Sequence, residues 1–243
     1  MSGEPVRNRF DTASDLWDVV EEHLDLGLPP DQFVRNLGLF ETPTTTARVL
    51  WFSHLYDLVT DSTGSILEFG VYLGRDLILW ENLRTVYEPG FRGSYRRIIG
   101  FDTFSGHFGT TPADGTFSYV SPGSFAAPGD WIKTFLGYVG ERHKVTRDPG
   151  LVLVAGDVRT SLPEWLAQNP SELIALAYMD LDLYLPTLHV LRELKQRMRP
   201  GSVIAFDEAG SVGYPGESQA LNEVFPDAQL HRYPLGYWSY IQL

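Results

Sequence analysis

From Ser65 onward the chain repeats one unit: a short, solid apolar run, a stop marked by an acid or a glycine, then a stretch with helical spacing. The runs are "SILEFG", "RRIIGFD", "GLVLVAGD", "LIALAYMD" and "SVIAFDE". Their β-branched and aliphatic content predicts strands covered on both faces, the pattern of a parallel sheet. The segments between them, "RDLILWENLRTVY", "DWIKTFLGYV", "SLPEWLAQ" and "PTLHVLRELKQRM", carry helical periodicity. In the last, Pro186 fits a first helical turn, Leu188, Leu191, Leu194 and Met198 share one face, and Pro200–Gly201 stops the helix. Strands alternating with helices imply right-handed crossovers and a doubly wound, Rossmann-like α/β sheet. Two further runs, "AQLHRYP" and "YWSYIQL", are separated by little more than "LG" and should pair as a hairpin. They extend the sheet to seven strands, mostly parallel, with one antiparallel strand near the C-terminus.

The region before Ser65 reads as helical, a 1–64 extension ahead of a 65–243 α/β domain. In "SDLWDVVEEHLDLG" Leu16, Val19, Val20 and Leu24 recur at helical spacing. In "TTTARVLWFSHLYDLV" Ala47, Leu50, Trp51, Leu55 and Leu58 form a stripe behind a threonine cap. These amphipathic helices are free to cover a site or to pair with a second subunit, as in a homodimer. At 243 residues the whole suits one domain with a small appendage. There are no cysteines, which excludes disulfides and thiolate chemistry. The net charge is −12 with only three lysines, which argues against nucleic acid and anionic membranes as partners. No apolar run is long enough to span a bilayer, and "MSGEPVRNRFD" lacks the apolar core of a signal peptide, so a cytoplasmic location is the expectation.

Charge at the carboxyl ends of the strands is the informative feature, because ligands of doubly wound sheets bind there. The first strand ends in Glu68-x-Gly70-x-x-x-Gly74, with glycines suited to a tight turn into a helix. This is not the dinucleotide Gly-x-Gly-x-x-Gly spacing. A carboxylate beside the turn repels a pyrophosphate but suits a ligand carrying an ammonium and a sulfonium, the charge pattern of S-adenosylmethionine. The second strand ends at Asp102, followed by Thr103 and Phe104; an acid there can accept ribose hydroxyls. The third ends at Asp157, followed by Val158, where the carboxylate suits an adenine amino group or a helix cap. These eight positions are the candidate cofactor contacts.

A second acidic group follows. "YMDLDLYLPT" sets Asp180 and Asp182 after the fourth strand, and Asp207-Glu208 end the fifth. Asp180 and Asp207 are one crossover apart, at neighbouring strand ends. Carboxylates converging on one volume repel unless a cation joins them, and Mg2+ suits an all-oxygen site. Asp180, Asp207 and Glu208 are the expected ligands, whereas Asp182 is expected to face solvent or cap the helix near Pro186. Asp180 is a candidate catalytic base, as is His107; His143 and His189 read as surface or packing residues. The Gly-, Pro- and Phe-rich segment from Thr103 to Asp130 reads as a substrate lid bearing Phe104, Phe108, Phe117, Tyr119 and Phe125.

Together "LEFGVYLGRD", "GFDTFSG", "GDVRTSLPEWL", "YMDLDLYLPT" and "RPGSVIAFDE" resemble the class I S-adenosylmethionine-dependent methyltransferases. More narrowly, the chain is similar to the macrocin O-methyltransferase type, metal-dependent enzymes that methylate sugar hydroxyls of natural products such as antibiotics. The resemblance spans Ser65 to Phe225. Members show Asp-x-Asp-x-Tyr-x-x-Thr after the fourth strand, here Asp180, Asp182, Tyr184 and Thr187, and Asp-Asp after the fifth, where this chain has Asp207-Glu208. The resemblance implies a Mg2+-dependent O-methyltransferase acting on a hydroxylated small molecule, a sugar or glycoside. The alternatives are a catechol-type methyltransferase, a nicotinamide-dependent oxidoreductase and a non-catalytic binding module. No lysine has a tyrosine four positions earlier, which disfavours the oxidoreductase.

Overall fold

Covered strands and amphipathic helices assemble into one mixed sheet. In the computed structural model, which describes residues 29–88, 96–115, 120–146 and 150–243, the elements follow the predicted alternation. They are α1 (Pro30–Arg35), α2 (Pro43–Val59), β1 (Ser65–Phe69), α3 (Arg75–Tyr87), β2 (Ile98–Asp102), α4 (Trp131–Thr146), β3 (Leu151–Ala155) and α5 (Val158–Gln168). Then come β4 (Ile174–Met179), α6 (Tyr184–Arg197), β5 (Val203–Phe206), α7 (Pro215–Val224), β6 (His231–Arg232) and β7 (Ser239–Gln242). The helix expected over "SDLWDVVEEHLDLG" and the lid aromatics Phe117 and Tyr119 lie outside the described residues.

The seven strands run in the order β3-β2-β1-β4-β5-β7-β6. Pairings among β1 to β5 are parallel, and β7 is antiparallel to both β5 and β6. The order in which strands are added reverses between β1 and β4, which makes their carboxyl ends the crevice where such sheets hold ligands. The strand β3 lies at an edge, and Val152 to Ala155 are partly exposed, so it is less enclosed than its apolar run predicts.

Alternation along the strands divides the core. Leu67, Phe69, Ile99, Phe101, Ala177, Met179, Ile204 and Phe206 join Val158, Leu162, Leu188, Leu191 and Leu221 in one cluster on the α5–α6–α7 side. Glu68 and Tyr178, in register on β1 and β4, therefore point to the opposite face. There Tyr178 meets the rings of Phe52 and Trp80. Fully burying side chains of this size stabilises by about 1.5–3 kcal/mol each. The chain divides into two compact units, Met1–Trp51 and Phe52–Leu243, with the division inside α2. Thr42 caps that helix, its hydroxyl accepting the Thr45 N–H at 3.2 Å. Its expected stripe is corrected in two places: Leu50 is exposed and Leu58 only partly buried, and the buried positions are Ala47, Trp51, Phe52, Leu55, Tyr56 and Val59. No described helix is long and apolar enough to cross a membrane.

Candidate active site

The turn after β1 explains its glycines by close approach within the protein. Gly70 has φ +96°, and a Cβ there would lie 1.8 Å from the Asp180 carbonyl oxygen, so glycine lets β1 and β4 converge. Gly74, at φ +86°, begins α3, and a Cβ there would meet the Phe135 ring at 2.3 Å. Asp102 braces this turn: Oδ2 accepts the N–H groups of Val71 and Tyr72, each at 2.7 Å, and Oδ1 accepts that of Phe104 at 2.6 Å. A carboxylate has about four acceptor positions, so one remains for a ligand hydroxyl. The Thr103 hydroxyl donates to the Gly106 carbonyl at 3.1 Å. Phe104 is buried with φ +56°, and Glu68 is only 1% exposed.

Asp157 has local partners. It caps α5 by accepting the Arg159 N–H at 3.0 Å and pairs with the Arg159 guanidinium at 2.5 Å. The hydrogen bond from Arg159 holds its carboxyl below the usual range. Val158 turns inward to the core.

The acids after β4 and β5 converge. Asp180, Asp207 and Glu208 each offer an oxygen, and these atoms lie within 4.8 Å of one another. The strands impose this: Asp180 N–H bonds the Phe69 carbonyl and Asp207 N–H the Met179 carbonyl, extending the parallel ladders by one residue. Asp207 also accepts the Tyr178 hydroxyl. Glu208 is buried, and its Oε2 has no hydrogen-bond partner. Burial first, then Asp207 and Asp180, push its carboxyl well above the usual range.

Asp182 neither faces solvent nor caps a helix, which corrects the expectation. It is 8% exposed, and its Oδ2 lies 2.7 Å from His107 Nε2. The backbone aims it: Asp182 has φ +60°, and Leu183 N–H bonds the Leu181 carbonyl at 2.6 Å, a tight γ-turn. Non-glycine residues in this region are uncommon and cluster where a side chain must be placed. The cap comes instead from the Thr103–Asp130 segment: buried Asp114 accepts the N–H of Tyr184, the first residue of α6. His107 is held in the same segment by two backbone bonds with Ser124 and Gly123, at 2.9 and 3.0 Å, and by the Phe125 ring at 5.3 Å. With Nε2 donating to Asp182, a neutral imidazole leaves Nδ1 as the acceptor; Nδ1 is buried and without a hydrogen bond.

Asp114 and Glu217 are buried acids of this region whose own sequence context does not mark them. Glu217 stands in the first turn of α7, where an acid reads as a helix-dipole partner.

Comparison with solved structures bears on this arrangement. Over 100% of this chain and 98% of the other, the chain is 34% identical to the calicheamicin methyltransferase CalS11, with a TM-score of 0.89. It belongs to the class I S-adenosylmethionine-dependent methyltransferases, macrocin O-methyltransferase type. An apo structure of CalS11, described as a TDP-rhamnose 3'-O-methyltransferase, matches at 32% identity and TM-score 0.79, over 100% of this chain and 96% of that one. The O-methyltransferase NovP, at 19% identity and TM-score 0.61 over 81% and 79% of the two chains, shares the fold. Comparison with protein-family models and with curated proteins finds no match. In this methyltransferase the acids of β1 to β3 and those of β4 and β5 flank the switch point of one sheet.

Proposed function

We propose that this methyltransferase transfers the methyl group of S-adenosylmethionine to a hydroxyl of a sugar or sugar-linked natural product, assisted by a divalent cation such as Mg2+. The observation that carries this reading is the convergence of Asp180, Asp207 and Glu208, with Asp182 and His107 paired just after β4. CalS11 is described as acting on TDP-rhamnose, which puts nucleotide-linked sugars first among acceptors to test.

The residues suit both groups. A buried carboxylate oxygen of Glu208 lacks a partner, and three oxygen ligands match a hard cation whose other positions go to water or substrate. For the cofactor, Asp102 keeps one acceptor position for a ribose hydroxyl, and Glu68 stands at the end of β1 beside the glycine turn. Gly70, Gly74, Thr103, Phe104, Asp157 and Val158 belong to the same three strand-end loops.

When bound, the cofactor supplies an activated methyl group, and the cation lowers the pKa of a chelated hydroxyl. The chain's part is to hold the acceptor oxygen in line and to take its proton. Asp180, Asp207 and Glu208 would hold the cation at the ends of β4 and β5. His107 Nδ1, with Nε2 held by Asp182, is one proton acceptor; Asp180, at the strand end, is the other.

The test is methyl transfer from S-adenosylmethionine to TDP-sugars, glycosides and catechols, followed by mass spectrometry with and without a chelator. Sugar methylation lost on chelation is the expected result. Transfer to catechols alone, or sugar transfer indifferent to chelation, overturns the acceptor or the cation respectively.

A further inference from the structure

Glu217 is an acid for which neither the fold nor the proposed chemistry has yet given a use. It is 0% exposed. Its Oε2 accepts the backbone N–H of Glu208 at 3.0 Å, whereas its Oε1 is buried with no hydrogen-bond partner. Burial pushes its carboxyl well above the usual range, and the charges of Asp182, Asp180 and Asp207 add to the effect. A neutral acceptor would satisfy the Glu208 N–H equally well. Enclosing a carboxylate among like charges costs several kcal/mol unless something cationic compensates.

We infer that Glu217 is a further residue of the cation centre: it positions the turn bearing Glu208 through the backbone and adds a fourth carboxylate to the field that retains a divalent ion. The inference rests on the reading of Asp180, Asp207 and Glu208 as the cation site.

The experiment uses Mn2+ alone, titrated calorimetrically into the metal-stripped full chain, with melting curves before and after loading. Glu217→Gln keeps an acceptor for the Glu208 N–H and removes only the charge. The Mn2+ Kd of this variant is expected to rise about tenfold or more, given the strength of charge interactions at such separations. The stripped variant should melt above the stripped wild type, and its Mn2+-induced rise in Tm should shrink. Glu217→Asp, which keeps the charge, should bind more tightly than Glu217→Gln. Wild-type affinity in Glu217→Gln, or equal weakening in both variants, overturns the inference while leaving the three-ligand site standing. A wild-type chain that binds no Mn2+, or binds it equally after Glu208→Gln, overturns that site as well.

Discussion

His107 Nε2 and Asp182 Oδ2 meet at 2.7 Å although 75 positions separate them in sequence. The pair joins the loop after β2 to the turn after β4. Both side chains are largely buried, at 7% and 11% exposure, so the interaction is shielded from the salt and water that weaken surface pairs.

Asp182→Asn should leave the fold intact, because asparagine tolerates the left-handed backbone. It replaces the carboxylate by an amide, whose NH2 group can face the ring and reverse the imidazole tautomer. Turnover should fall by about 10²–10⁴, the usual contribution of a positioned base. Steady-state rates alongside thermal melting check this; an unchanged kcat would remove the pair from the chemistry.

The Asp157 cap should show itself in the pH dependence of stability. Its carboxyl is held low by Arg159 in the folded state, so its contribution is present above the unfolded carboxylate pKa and is lost as pH falls through the folded value. Asp157→Ala should cost about 0.5–2 kcal/mol at neutral pH, with the gap to wild type closing in acid. Urea unfolding at several pH values measures it, and a constant gap would contradict the assignment.

Asp114 binds the Thr111 N–H and hydroxyl as well as the Tyr184 N–H, and Gln219 reaches the neighbouring Ala113 carbonyl at 2.9 Å. Asp114→Ala leaves three partly buried donors without their acceptor, at up to about 1–3 kcal/mol each. It should also speed proteolysis within Thr103–Asp130 ahead of global unfolding. Limited proteolysis compared with denaturant melting separates the two, and a cleavage rate equal to wild type would show that Asp114 does not anchor the segment.

Gly74→Ala drives a methyl group into the Phe135 ring and strains a left-handed position, together about 2–5 kcal/mol. Phe135→Leu should recover only the steric part. A double-mutant cycle on urea unfolding tests this, and strictly additive costs would mean the two residues do not touch in solution.

What the sequence determined by itself is the order of elements and the acids at their ends. A solid apolar run becomes a strand, covered on both faces except at the β3 edge, and the acid at its carboxyl end lands at the crevice. Glu68, Asp102, Asp180 and Asp207 were legible for that local reason. Partners were not legible, because they depend on the path of loops without periodicity. Tertiary structure decided that Asp182 meets His107, that Asp114 caps α6 from a distant segment, and that Glu217 is sealed behind Glu208. Each is a carboxylate whose environment is made by chain far away in sequence, and burial, which sets its charge and its use, exists only once the sheet and helices have packed.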